Sequence, residues 1–304
     1  MFQNIVEKLI DRLPENSILQ NKDSFKIDLV LEGGAFNGSY MLGILYFLKK
    51  LEEKQKIKIE RISGVSIGAM LGLIYQLNSL DYTVAFYKNV YKHLKKKKNL
   101  MIVHTFCDEI KKFIKDDFYL SVNKKFFITY YDLKKGKKII KSTYRNNDDL
   151  FDTVIRSSYI SFICGKSCFY KNQYIDGIFP YLFKSKREIL YINLSHYDKL
   201  LNMFIIKNEK NNISRILLGI LDVYSFFYRK ENTIMCSFVK DWKIFDHTYY
   251  CIKRWVEYFI FCNLWLYYLL ERFVLDELSH TFAHQLFYRL LHYFNKLLIK
   301  QFCI

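Results

Sequence analysis

The sequence predicts an α/β fold built on a mostly parallel central sheet, followed by an all-α C-terminal region. Three observations carry that prediction. Between Asp28 and Leu80 an apolar run, a small-residue loop and a helical pattern follow one another twice, as in a parallel sheet with helices on its faces. The runs that read as strands, such as Ile27 to Leu31, are continuously apolar, as strands covered on both sides are. From about His196 onward, long helical patterns crowded with Tyr, Phe and Leu take over.

The elements follow in order. Phe2, Ile5, Val6, Leu9, Ile10 and Leu13 recur at helical spacing before Pro14, predicting an amphipathic surface helix within residues 1–25. The chain start lacks a basic segment, apolar block and small-residue cleavage site, so the sequence predicts no signal peptide and an intracellular protein. Residues 26–195 form the expected α/β domain. In it, Ile27 to Leu31 is a strand and Gly33 to Gly38 a loop. Tyr40 to Lys54 is a helix with Met41, Ile44, Leu45, Leu48 and Leu51 on one face. Ile57 to Ile62 is the next strand, Gly64 to Gly68 the next loop, and Ala69 to Leu80 a helix apolar almost all round.

Residues 81–123 alternate aromatic and lysine residues helically, which suits either a lid or a helical insertion packed on the domain. Phe126 to Leu133 and Lys138 to Thr143 pair about a Lys-Lys-Gly-Lys turn, whose lysines are expected in solvent. Asp148 and Asp149 are candidate caps of a helix running to Ser158. Phe169 to Tyr174 leads into Asp176, and Glu188 to Leu194 reads as a strand. Residues 196–304 are expected to be helical over Ile213 to Tyr228, Thr248 to Leu270 and Leu275 to Ile299. The most apolar piece, Tyr258 to Leu270, is shorter than the roughly 20 residues that span a bilayer, so a buried helix is preferred. An interfacial anchor, or insertion of residues 255–275, are the alternatives.

Composition narrows the class. A chain of 304 residues with 51% hydrophobic content can build a sizeable core. Seven scattered cysteines give no disulfide framework, and Cys164 to Cys168 lacks the second pair of a zinc site. His280 and His284 share a helical face with Asp276, but no Glu follows His280, so neither metal nor cofactor is expected. The net charge of +17, much of it in Lys95 to Lys98 and Lys134 to Lys138, suits an anionic lipid surface. Nucleic-acid binding and simple compositional bias are the other readings of that charge. The sequence leaves the oligomeric state open.

The chemistry-bearing residues lie in the two loops. Gly33, Gly34, Ala35, Asn37 and Gly38 offer backbone N–H groups beside a helix N-terminus, where an anion is favoured. Ser66 sits between Gly64 and Gly68 on a strand-to-helix turn that exposes its hydroxyl. Asp176, followed by Gly177, is either a turn aspartate or the acid of a catalytic pair.

Glu32 to Gly38, Gly64 to Gly68 and Tyr174 to Ile178, in that order, resemble the patatin-like phospholipases, serine acyl hydrolases with a Ser-Asp dyad. The hairpin from Phe126 to Thr143 and the segment Thr153 to Tyr159 are also similar to that family, and the likeness runs from about Ile27 to Leu194. The resemblance implies a three-layer fold, Ser66 as nucleophile, Asp176 as base, and an oxyanion hole from the N–H groups of Gly34 and Ala35. It also implies a phospholipid or other acyl-lipid substrate and membrane association without a specific nucleic-acid partner. Three residues depart from the family pattern: Ala35 replaces a third glycine, Asn37 a basic residue, and Ile178 the final Gly or Ala. Those departures keep open a catalytically silent scaffold that binds membranes or a protein partner.

Overall fold

The computed structural model describes residues 2–14, 25–84, 102–112, 114–160, 167–200 and 212–273, with positions 89, 203, 205, 289 and 293. Lys95 to Lys98, Cys164, Cys303, the helical pattern from Leu275 and the Asp276, His280, His284 set lie outside the described residues.

A seven-stranded sheet with helices packed against it makes the body of the molecule. Its strands are β1 (Phe25–Leu31), β2 (Ile57–Gly64), β3 (Phe126–Asp132), β4 (Lys137–Lys141), β5 (Tyr174–Asp176), β6 (Glu188–Ile192) and β7 (Cys236–Phe238). The order across the sheet is β4-β3-β2-β1-β6-β7, parallel from β3 to β6 and antiparallel at both edges. β1, at the centre, buries Ile27, Leu29, Val30 and Leu31 completely. It also buries Asp28, whose carboxylate is neutralised by Arg61 at 2.5 Å and by Arg187. A buried charge in a central strand survives only with such partners.

β5 decides where the site lies. β3 pairs with β4 along one edge over residues 128–132. Its other edge pairs first with β2, ending at Gly64 opposite Ile128, and then with β5, Tyr130 facing Asp176. β5 therefore continues the line of β2 beyond its carboxyl end, where Ser66 begins the next helix.

The helices are α1 (Phe2–Asp11), α2 (Gly38–Glu53), α3 (Ile67–Gln76), α4 (Ile102–Lys111), α5 (Phe118–Val122), α6 (Asn147–Ser157), α7 (Ile213–Arg229) and α8 (Ile244–Phe273). α1 buries Phe2, Val6 and Ile10, the face its spacing predicts. α6 is capped by Asn146, which accepts from the Asp149 N–H at 2.8 Å; neither Asp148 nor Asp149 is the cap. An asparagine one residue earlier satisfies the same orphan donor, and Asp149 instead pairs with Lys141. In the 81–123 segment, Cys107 and Ile110 are buried in the main core, and Ile114 and Phe118 meet Gln76 and Leu77 at the end of α3 remote from Ser66. The described part of this segment is thus packed on the domain.

The C-terminal part is more closely joined to the sheet than an all-α appendage. β7 adds a strand beside β6, so this region is not helical throughout. α7 crosses α2 so tightly that a Cβ on Gly43 would lie 2.0 Å from the Ile216 carbonyl oxygen, and one on Gly219 2.0 Å from that of Tyr40. α2 is consequently buried at every residue from Gly38 to Leu48, where amphipathic spacing alone predicts one covered face. α8 buries Lys253, Glu257, Phe261 and Tyr268 on one side, yet Trp255 is 74% and Phe259 69% exposed on the other. The fully buried helix preferred from sequence is therefore half covered. Among the described residues no helix is long and apolar enough to cross a membrane.

Candidate active site

Ser66 stands at the junction of β2 and α3 with φ 54° and ψ −129°, a conformation that costs a non-glycine residue about 1–3 kcal/mol. Such strain persists only where the surroundings over-determine it. Gly68 lets the turn close, because a Cβ there would lie 2.5 Å from the Leu31 carbonyl oxygen. Gly64 has the same role against Ala69. From the other side, the Ser66 N–H donates to both the carbonyl oxygen and Oγ of Ser157, at 3.0 and 3.1 Å. Ser158 Oγ donates to the Ser66 carbonyl oxygen at 3.0 Å, and Ser157 Oγ donates onward to Thr129 at 2.7 Å. The serine pair at the end of α6 is therefore a clamp on the Ser66 backbone. Sequence gave the pair a place in the pattern without a task.

Asp176 ends β5, and the Ser66 side chain stands close enough to its carboxyl to favour the ionised form. Its Oδ1 also accepts the Ile178 N–H at 2.7 Å. Burial pushes the carboxyl up to about 6, while the Ser66 hydroxyl, the Ile178 bond and the nearby Lys138 pull the other way. A carboxyl poised there is ionised at neutral pH yet basic enough to take a proton. Gly177 presses against β3, where a Cβ would lie 2.3 Å from the Thr129 carbonyl oxygen, and this permits the abrupt exit from β5.

The glycine-rich loop passes directly over Ser66. A Cβ on Gly33 would lie 3.2 Å from Ser66 Cβ, and one on Gly34 would strike Leu194 at 2.6 Å. The N–H groups of Gly34 and Ala35 donate to no group among the described residues, and the loop runs straight into α2 at Gly38, whose N-terminus favours negative charge. A short 3-10 turn, Ala35–Asn37, closes with Asn37 N–H donating to Gly34 at 2.8 Å.

Two buried side chains hold this loop, and the sequence pointed to none of their partners. Glu32, fully buried, accepts from Tyr191 Oη at 2.7 Å, from the N–H groups of Leu194 and Ser195 at 3.0 Å, and from Lys253 Nζ of α8 at 2.8 Å. Asn37, also fully buried, donates to the carbonyl oxygens of Leu194 and Lys199, and its Oδ1 accepts from Arg215 of α7 at 2.9 Å. Its amide is thereby committed to anchoring the loop. The positive charge absent from position 37 is present one layer below, on a guanidinium that is itself buried and faces the Tyr40 ring at 5.4 Å.

Ala35 and Ile178, two of the departures, have φ of 44° and 61°. Each sits where glycine would be unstrained, at a cost of about 1–2 kcal/mol for an L-residue and more for a β-branched one. Ile178 packs against the aromatic cluster of Tyr131, Phe169 and Phe261 beneath α8, which offsets part of that strain.

Taken together, a strained serine can attack a carbonyl, the carboxyl beside it can accept the serine proton, and the loop amides can receive the resulting oxyanion. No curated protein matches the chain. The family model described as Patatin-like phospholipase matches residues 29–179, which span all three motif loops. That segment, sheet, elbow and acid turn together, is a patatin-like phospholipase domain, and the chain is a member of this lipid hydrolase family through it.

Proposed function

We propose that the chain is a serine-dependent lipid acyl hydrolase that cleaves ester bonds of membrane lipids. The observation that carries this reading is the Ser66 side chain standing beside the Asp176 carboxyl, which burial pushes up to about 6, where β5 continues the line of β2. Ser66 Oγ attacks the ester carbonyl while Asp176 takes its proton and passes it to the departing alcohol or lysolipid. The tetrahedral oxyanion is received by the Gly34 and Ala35 N–H groups, each such donor being worth about 3 kcal/mol. Water, deprotonated by Asp176, then releases the acid from Ser66.

The outer face of α8 supports action at a lipid surface. Ile252, Trp255, Phe259 and Leu266 form an exposed apolar stripe, Leu266 being 56% exposed, on a chain of net charge +17. Aromatic residues beside cations suit the interface of an anionic bilayer.

A fluorophosphonate probe tests the chemistry. It labels wild-type protein at Ser66, and labelling is lost in Ser66→Ala and Asp176→Asn. Intact, folded protein that resists the probe would instead support the silent scaffold that Ala35 and Ile178 keep open. Lipid analysis after incubation with mixed vesicles then identifies the ester cleaved.

A further inference from the structure

Lys138 was expected in solvent at a hairpin tip, but its side chain is only 16% exposed. It faces Tyr131 across the β3/β4 ladder, and Tyr131 in turn faces Ile175 on the opposite edge of β3. From there its ammonium reaches the loop after Asp176, donating to the Phe179 carbonyl oxygen at 2.7 Å. It also donates to the Glu257 carboxylate of α8, which is 1% exposed. Glu257 also binds Arg254 one turn earlier and lies beside the Tyr131 hydroxyl, raising its pKa. A buried positive charge from the hairpin and a buried negative charge from α8 thus stand beside the acid loop. Both act through space on Asp176. Taking such a pair out of water is costly, and buried charges beside a carboxyl with a shifted pKa are candidates for a functional role.

We propose that Lys138 and Glu257 are positioning residues for the reaction at Ser66: Lys138 fixes the Asp176–Phe179 loop and favours the ionised carboxylate, and Glu257 holds Lys138 in place while opposing it electrostatically. The proposal rests on the reading of Ser66 and Asp176 as the reacting pair. The groups facing Asp176 are the Ser66 hydroxyl, the Ile178 N–H, Lys138 and Glu257. Those facing Lys138 are Glu257, Arg254, Asp176, the Phe179 carbonyl and the Tyr131 ring at 5.7 Å. Burial pushes the Lys138 ammonium down to about 8, against the pull of Glu257 and Asp176. The arrangement with Asp176 ionised and Lys138 protonated therefore exists between about pH 6 and about pH 8.

The test is the pH dependence of kcat/KM on a soluble p-nitrophenyl ester. Wild type gives a bell with limbs near those two values. Lys138→Met shifts the acid limb up by about one unit and removes the alkaline limb, whereas Lys138→Arg keeps the acid limb in place and loses only the alkaline one, because a guanidinium stays charged. Glu257→Gln shifts the acid limb down, the opposite sign, because it removes a negative neighbour of Asp176. A purely structural role lowers the amplitude and leaves the limbs in place, and that result in Lys138→Met overturns the proposal. If Glu257→Gln does not fold, the two Lys138 variants still decide. The 13C titration of the Asp176 carboxyl, assigned with Asp176→Asn, reads the same shifts without turnover. An inactive wild type with those shifts intact would sink the hydrolase reading alone; unmoved titrations would sink the positioning role alone.

Discussion

Residues 29–179 and residues 212–273 meet at the same end of the sheet and contribute unlike things to it. The first segment brings every candidate reacting group: the free amides of the glycine loop, Ser66 and Asp176. The second brings none of these, but it brings the buried charges that grip them. Arg215 holds Asn37, Lys253 holds Glu32, and Glu257 holds Lys138. The difference teaches that a short-range motif can position a serine on its turn, but keeping two loops in register needs partners from elements distant in sequence. It also separates two kinds of damage. Loss of a reacting group should abolish chemistry without harming the fold, and loss of a grip should harm the fold first.

The sharpest way to break that comparison is Asp176→Asn. Activity should fall by about 10²–10⁴-fold, the usual worth of a general base. Stability should move the other way. Because burial raises the Asp176 carboxyl to about 6, its stabilising share is full below the ordinary carboxylate range and is lost as pH rises through that value. The variant should therefore be more stable than wild type by about 1–2 kcal/mol at pH 7.5 and no more stable at pH 4, as read by urea unfolding. A loss of stability at pH 7.5 would make Asp176 a structural residue.

Lys253→Met comes next. It leaves Glu32 with a buried and uncompensated charge, at a cost of about 3–5 kcal/mol. Denaturant midpoints should fall sharply, while any protein that remains folded keeps its reactive serine. Gly219→Ala tests the helix crossing. The new Cβ would lie 2.0 Å from the Tyr40 carbonyl oxygen, and overpacking of this kind costs about 1–3 kcal/mol or more. If α7 were a loosely attached appendage, the thermal midpoint would not change.

The smallest effect on stability sharpens the contrast from the other side. Ala35→Gly relieves a positive φ of 44°, and should change stability by no more than about 1 kcal/mol, since the gain is set against unfolded-state entropy. Trp255→Ser with Phe259→Ser, on the open face of α8, should alter stability within about 0.5 kcal/mol and yet weaken cosedimentation with vesicles containing an anionic lipid. Unchanged vesicle binding would remove α8 from any role at a membrane.

Much of the site was legible because its signals are local. Gly64 is required by backbone approach within its own turn, Gly68 and Gly177 mark turns that the chain crosses close to β1 and β3, and a strand-loop-helix pattern announces itself over a dozen residues. The positive φ of Ala35 fits its place where the family pattern has a third glycine. The amphipathic face of α1 and the hairpin of β3 and β4 were equally readable from periodicity. Lys138, Lys253, Glu257 and Arg215 were not, because a charged residue in a helix or hairpin looks like solvated surface until its partner is known. Asn146 was overlooked in favour of two aspartates, since capping depends on a backbone conformation that residue type only suggests.

By itself, then, the sequence determined the order of the elements, the tight turn that carries Ser66, and the family pattern to which Asp176 belongs; it did not show that the fold covers Ser66 to 9% exposure. Tertiary structure decided the rest: that β5 extends the line of β2 and so brings Asp176 to Ser66, that α7 seals α2, and that α8 presents charges inward and aromatic rings outward. The physical reason is one of range. Backbone sterics and hydrophobic periodicity act over a few residues, whereas the energy of a buried charge depends on which opposite charge the fold delivers to it, and no local pattern records that.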